Sequence, residues 1–117
     1  MVLLEYLARM DVDPATALEL MEPDIEFCLS LPGKEVHGTS RADFAAYIGG
    51  RAAAGRVHEV KRHGRSGDLE SVHGFVVDGG ESTGAFLSAA IISPAGLMAR
   101  YQSVFTPAFG LTDREGR

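Results

Sequence analysis

The chain has 117 residues, a net charge of −5 and one cysteine, Cys28. That length suits a single domain. The acidic balance argues against nucleic acid or an anionic membrane as main partner, since both attract a basic face, and a lone cysteine excludes an intrachain disulfide.

No apolar run approaches the roughly 20 residues of a membrane span, and a soluble cytoplasmic protein is expected. The N-terminus, Met1 to Met10, lacks a basic segment before its apolar part and carries Glu5 and Arg9. It therefore reads as an amphipathic helix and not as a secretory signal. The one dense basic run, Arg51 to Arg65, is interrupted by Glu59 and reads as a solvated strand and loop.

Val2, Leu3, Tyr6, Leu7 and Met10 recur at helical spacing. Asp13 followed by Pro14 predicts the start of a second helix, with Asp13 as N-cap, carrying Ala17, Leu18 and Met21 inward and ending at Glu22-Pro23. Ile25, Phe27, Leu29 and Leu31 alternate with Glu26, Cys28 and Ser30, which predicts a strand from Asp24 to Leu31. Pro32-Gly33 turns the chain into a short return segment, Glu35–His37. Ser40 opens a third helix, with Asp43 in the position of a capping-box acid. Phe44, Ala45, Tyr47 and Ile48 form its apolar face, and the alanines at 52–54 could extend it to Gly55.

Beyond Gly55 the pattern becomes strands, Val57–Gly64, Leu69–Val77, Ser82–Ile92 and Leu97–Thr106, separated by turn residues. Pro107 ends the last strand. The polar tail from Gly110 to Arg117 is expected to fray. Three helices followed by a four-strand meander indicate an α+β fold. One domain spanning 1–117 is expected, with its core at about 2–107 and residues 108–117 as tail. A long curved antiparallel sheet wrapped on helices leaves a conical interior in which a pocket can form.

Three stretches resemble the nuclear transport factor 2-like superfamily, in particular its SnoaL-like and ketosteroid isomerase-like branch. They are Ala17–Phe27, a helix, an acidic residue and a strand; Val36–Ile48, a glycine and a helix start; and Ile91–Phe105, the final hairpin. The resemblance covers Leu3 to Thr106 and implies a cone-shaped, cystatin-like fold. It says little of chemistry, because the superfamily reuses one cone for isomerases, hydrolases, cyclases and non-enzymes.

Set beside the ketosteroid isomerases, the chain has Tyr6 near the family's oxyanion-binding tyrosine, Ser88 where the family has a strand aspartate, and Cys28 or Leu29 where it has the proton-shuttling aspartate. The usual carboxylate base is therefore missing. The resemblance implies an inward set of Phe86, Ser88 and Ala90, Tyr101 and Ser103, and His73 and Phe75. The opposite parity, with Arg100 and Gln102 inward, stays open. His73 is the candidate general base, and Tyr6 and Tyr101 are candidate oxyanion donors. Phe44, Tyr47, Phe75, Phe86, Ser88 and Ser103 are candidate ligand contacts. His37, His58 and His63 lack metal-ligand spacing, and neither a metal nor a cofactor is expected. Cys28, with no cation adjacent in sequence, reads as an inert thiol.

Leu87, Ala89 and Ile91 oppose the inward set, so both faces of that strand are apolar and a homodimer through the outer sheet face is expected. Two functions stay open. One is a cofactor-free isomerase, cyclase or lyase acting on a small hydrophobic carbonyl compound. The alternative is a non-catalytic small-molecule-binding or protein-interaction domain.

Overall fold

The computed structural model describes residues 1–51 and 55–114. Helix α1 runs Val2–Val12 and buries Leu3, Tyr6, Leu7 and Met10, the apolar stripe expected from the spacing. Its first turn has no local side-chain cap. The carboxylate of Glu70, far along the chain, accepts the Leu3 N–H at 2.8 Å instead.

Helix α2 is shorter than the sequence suggests. It spans Pro14–Ala17, tightens into a 3-10 turn at Leu18–Leu20 and gives way to strand β1, Met21–Leu31. Asp13 precedes Pro14, but its side chain caps nothing; its carbonyl accepts the Thr16 hydroxyl at 2.7 Å. Met21, expected on the helix, is a fully buried strand residue. Strand β1 tolerates Pro23 because its pairing is irregular between Met21 and Glu26, where a missing N–H breaks no ladder bond.

A Pro32-Gly33 turn leads into β2, Lys34–Gly38, and then α3, Arg41–Gly49. Ser40 caps α3 as expected, its Oγ accepting the Asp43 N–H at 3.0 Å, while Asp43 accepts the Thr39 N–H at 2.9 Å. The expected extension through the alanines at 52–54 lies outside the described residues. Strands β3 (Arg56–Ser66), β4 (Leu69–Asp78), β5 (Glu81–Ile92) and β6 (Met98–Thr106) form the meander. The β4–β5 turn puts Gly79 and Gly80 at φ +61 and +85, which a two-residue hairpin needs and other residues rarely adopt.

The six strands form one curved sheet in the order β2-β1-β6-β5-β4-β3. All neighbours are antiparallel except β1 and β6, which run parallel, so the sheet is mixed. Helices α1 and α3 lie on the concave face. There Phe44 of α3 sits among Tyr6, Phe27, Tyr47 and Tyr101, with ring centroids 4.5–6.2 Å away.

Two bulges decide which residues reach that face. Counting back from the β4–β5 turn, Asp78 pairs with Glu81 and Val77 with Ser82, but Val76 pairs with Gly84. The extra residue, Thr83, shifts the register by one, so His73 pairs with Leu87 and Val72 with Ser88. In β3 the step between Val60 and Arg62 leaves Lys61 unpaired, and His58 consequently pairs with Val76.

Directly paired residues share a face, and a shift of one residue exchanges the faces. Val76, Phe86, Ser88 and His58 therefore belong to the concave side, and His73, Phe75 and Val77 to the convex side. This corrects the expected inward placement of His73 and Phe75. The expected fraying is also corrected for residues 110–114. Thr112 Oγ1 lies 3.1 Å from His73 Nε2, Arg114 holds Glu59 at 3.2 Å, and Gly110 packs against Phe75 and Ala85.

Candidate functional site

Between the concave face and helices α1 and α3 lies a cavity of about 850 Å³, within the range of small-molecule sites. Its walls include Tyr6 and Met10 of α1, Tyr47 and Ile48 of α3, Leu29 of β1, Val76 of β4, Phe86 of β5, and Tyr101, Ser103 and Phe105 of β6. Five of the candidate residues thus share one cavity: Tyr6, Tyr47, Phe86, Tyr101 and Ser103. Phe44 is fully buried beneath it and acts as packing for the aromatic wall. Ser88 is 1 % exposed and lies behind the wall.

The hydroxyls form a chain. Tyr101 donates to Ser88 Oγ at 3.3 Å, and Ser88 and Ser103 hydroxyls lie 2.8 Å apart. Tyr6 sits against Tyr101, ring centroids 5.0 Å apart. Burial raises the Tyr6 pKa well above the phenol range, reinforced by the neighbouring Tyr101 hydroxyl. Burial also raises Tyr101, against hydrogen bonds from Ser88, Ser103 and Tyr6 that lower it. Both phenols therefore stay protonated at neutral pH and remain donors.

A second polar group in the cavity was not foreseen from the sequence. His58 lines the wall, packed edge-on against Phe86 with centroids 5.0 Å apart. Asp11, at the last turn of α1, grips it twice: Oδ1 lies 2.6 Å from His58 Nδ1 and Oδ2 accepts the His58 backbone N–H at 2.9 Å. A carboxylate accepts only, so Nδ1 carries the hydrogen, and neutral His58 then presents Nε2 as a free acceptor. Nε2 has no hydrogen-bond partner among the described residues.

The sequence hides this pair because even counting from the Ser66-Gly67-Asp68 turn would pair residue 58 with Val77, on the convex side. The Val60–Arg62 bulge reverses that. A Cβ at Gly74, opposite the bulge, would collide with the Glu59 carbonyl, so glycine is what lets the bulged strand approach.

His73, the base candidate from the sequence, is buried on the other face. Its Nδ1 lies 3.0 Å from the Phe86 carbonyl and its Nε2 meets Thr112, so both nitrogens are engaged in holding the sheet and the tail. At the two strand positions where the ketosteroid isomerases carry acids, Ser88 is buried and Leu29 lines the cavity, while Cys28 faces outward.

The β1–β2 pairing sets Cys28 opposite His37 and brings Glu35 alongside. Cys28 Sγ lies 3.3 Å from Glu35 and 3.8 Å from His37. These are three possible metal ligands on the convex face, a proximity that the sequence spacing of the histidines does not reveal. Desolvation and the Glu35 carboxylate raise the Cys28 pKa, which keeps it a thiol. No helix among the described residues is long and apolar enough to cross a membrane.

No family model matches the sequence and no curated protein matches it. Solved structures do. A Kribbella flavida protein assigned as a ketosteroid isomerase superposes with TM-score 0.74 at 17% identity, covering 96% of this chain and 80% of that one. A protein of the SnoaL-like family from Agrobacterium tumefaciens, assigned as an isomerase, superposes with TM-score 0.74 at 10% identity, covering 90% and 94%. An epoxide hydrolase of the LEH-like kind from M. tuberculosis gives TM-score 0.70 at 9% identity, covering 90% and 80%. At such identities the likeness is one of backbone architecture. The curved sheet, the helices on its concave face and these superpositions together establish that the chain has the nuclear transport factor 2-like fold.

Proposed function

We propose that the protein is a cofactor-free enzyme of the isomerase or cyclase type, abstracting a proton next to the carbonyl of a small hydrophobic compound. The observation that carries this reading is the Asp11–His58 pair at the wall of the cavity, beside the apolar surface of Leu29, Val76 and Phe86. In the proposed step the C–H bond beside the carbonyl breaks and its proton goes to His58 Nε2. The electron pair moves into the enolate, whose oxygen accepts a hydrogen bond from the Tyr6–Tyr101 hydroxyl chain. Where a neighbouring C=C conjugates the enolate, His58 returns the proton at the far carbon and the double bond shifts. In the cyclase variant the enolate carbon attacks a second carbonyl, the ring closes, and His58 gives its proton to the resulting alkoxide oxygen.

Asp11 orients the imidazole and favours the imidazolium that forms, as a carboxylate behind a catalytic histidine does. His58 thereby takes over the role that a strand carboxylate has in the ketosteroid isomerases and that His73, on the far face, cannot fill. Solved structures of the same fold that are assigned as isomerases and a polyketide cyclase support the reaction class. An acidic chain with a single cysteine, which can form no intrachain disulfide, suits a reducing, cytoplasmic setting.

The test is hydrogen–deuterium exchange beside the carbonyl, followed by NMR in deuterated water over a panel of apolar enolisable ketones. The wild-type chain should catalyse exchange in at least one of them, and His58→Ala should slow it by about 100-fold or more, the lower range for a general base. Ketones that bind the cavity without exchanging would instead favour a non-catalytic binding domain, the reading to which the absent strand carboxylates point.

A further inference from the structure

The chain has an excess of acid, 16 Asp and Glu against 11 Lys and Arg, yet the ionisable residues on the cavity wall reverse that balance. Lys34, Arg51 and Arg56 line it, against one carboxylate, Asp11, which is already committed to His58. Five arginines elsewhere find acceptors, while the side chain of Arg62, exposed on β3, has none among the described residues. Arg9 holds Glu5 and Glu19, Arg100 lies 3.6 Å from Glu26, and Arg114 holds Glu59. Arg41 and Arg65 bond backbone carbonyls.

Arg56 is different. Its guanidinium forms no hydrogen bond or ion pair with any described residue, and its Nε is buried without a partner. Buried guanidinium donors are almost always satisfied, and a guanidinium on a cavity wall whose outer nitrogens no described residue engages can take an acceptor that comes with the ligand. Arg51 makes no ion pair with any described residue; its guanidinium lies 5.8 Å from the Tyr47 ring centroid, above another wall residue.

The placement follows from the same bulge that turns His58 inward. Arg56 is two residues before His58 on one strand, so the two share the concave face, about 7 Å apart along the strand. The basic run that reads as solvated in the sequence thus turns two of its arginines to the cavity.

Resting on the proposed chemistry, we infer that the carbonyl compound this cavity takes carries an anionic group, a carboxylate by its fit to a planar guanidinium, seated at Arg56 and Arg51 while its apolar body lies against Phe86, Tyr47 and Leu29. The anion fixes the register of the ligand on the wall and so decides which carbon meets His58. Neutral compounds of the same shape lose this anchor.

Isothermal titration with decanoate, methyl decanoate and decanol tests the inference without requiring turnover. Decanoate should bind at least tenfold more tightly than either neutral probe. Arg56→Gln should remove most of that preference, Arg56→Lys should restore part of it, and Arg51→Gln should weaken it to a lesser degree, each variant first shown to melt as the wild type does. Equal binding of the three probes by the wild type overturns the anionic-ligand inference and leaves the His58 exchange experiment standing. A decanoate preference that survives in the double variant Arg56→Gln/Arg51→Gln also overturns it. Binding of none of the probes overturns it together with the reading of the cavity as a site for apolar ligands.

Discussion

His58 and Asp11 are the residues on which the chemistry turns, and they make different predictions. His58→Ala removes the acceptor, so exchange should fall by about 100-fold or more. Asp11→Asn keeps the shape but can offer its amide to Nδ1, which turns the imidazole to the wrong tautomer; exchange should fall steeply there too, with the ligand still bound. If Asp11→Asn exchanges at the wild-type rate, Asp11 is a strand anchor only.

The buried phenols add a pH signature. Their pKa values are raised in the folded chain, so the neutral form is what the fold stabilises. That contribution is complete below the ordinary tyrosine value of 10.0 and is lost as pH rises beyond it, because the unfolded chain then ionises first. Unfolding midpoints in urea should fall above pH 10 less steeply for Tyr6→Phe than for the wild type.

At this scale the sequence was legible for Phe86, Tyr101 and Ser103, where alternation leaves two parities and the family resemblance chooses between them. It was misleading for His73 and silent for His58, because each depends on one inserted residue in a strand. Nothing in the residue types at Thr83 or Lys61 announces a bulge.

Among the elements, α1 is held by an unusual partner. Its stripe of Leu3, Tyr6, Leu7 and Met10 was plain from the spacing, but no local residue caps it, and a strand carboxylate does so instead. Glu70 is 3 % exposed, so its loss leaves the Leu3 N–H buried without an acceptor. Glu70→Ala should destabilise the fold by about 1–3 kcal/mol in urea titration, and Glu70→Gln, which keeps an acceptor, by less. Because α1 also carries Tyr6 and Asp11, the cap on one end of the helix positions the donor and the orienting carboxylate farther along it.

The tail is the second element the sequence could not foresee, since its polar composition reads as solvated. Its attachment depends on Glu59, whose pKa is lowered chiefly by the Arg114 hydrogen bond. A lowered folded value means that the attachment is present above the ordinary glutamate value of 4.5 and is lost as pH falls through the depressed one. Amide exchange at Thr112 and Asp113, taken relative to the unfolded chain at each pH, should therefore quicken at low pH. In Arg114→Ala it should already be quick at neutral pH.

For the whole molecule, the order of helices and alternating strands made the α+β architecture readable. The expected antiparallel sheet is in fact mixed, because alternation within a strand does not say which neighbour β1 takes, and β1 runs parallel to β6. The outer sheet face then poses a question of its own. Leu87 is 47 % and Val104 39 % exposed, and they are direct partners across the β5–β6 ladder, with Leu69 paired to Ile91 nearby. The tail covers His73, Phe75 and Ala85 but leaves this row open. We propose that a second copy of the chain covers it. A row on adjacent strands can meet its own image about a two-fold axis, and both faces of β5 are then covered, as expected for a strand apolar on both sides. Sedimentation at micromolar concentration should give a dimer, and Leu87→Glu should give a folded monomer with an unchanged far-ultraviolet spectrum. A wild-type monomer would leave the convex face without the second copy and refute the dimer. The cavity opens on the opposite face of the sheet, so the Leu87→Glu monomer should still exchange ketone protons; loss of exchange on dissociation would mean that the outer face tensions the bulges that turn His58 and Arg56 inward.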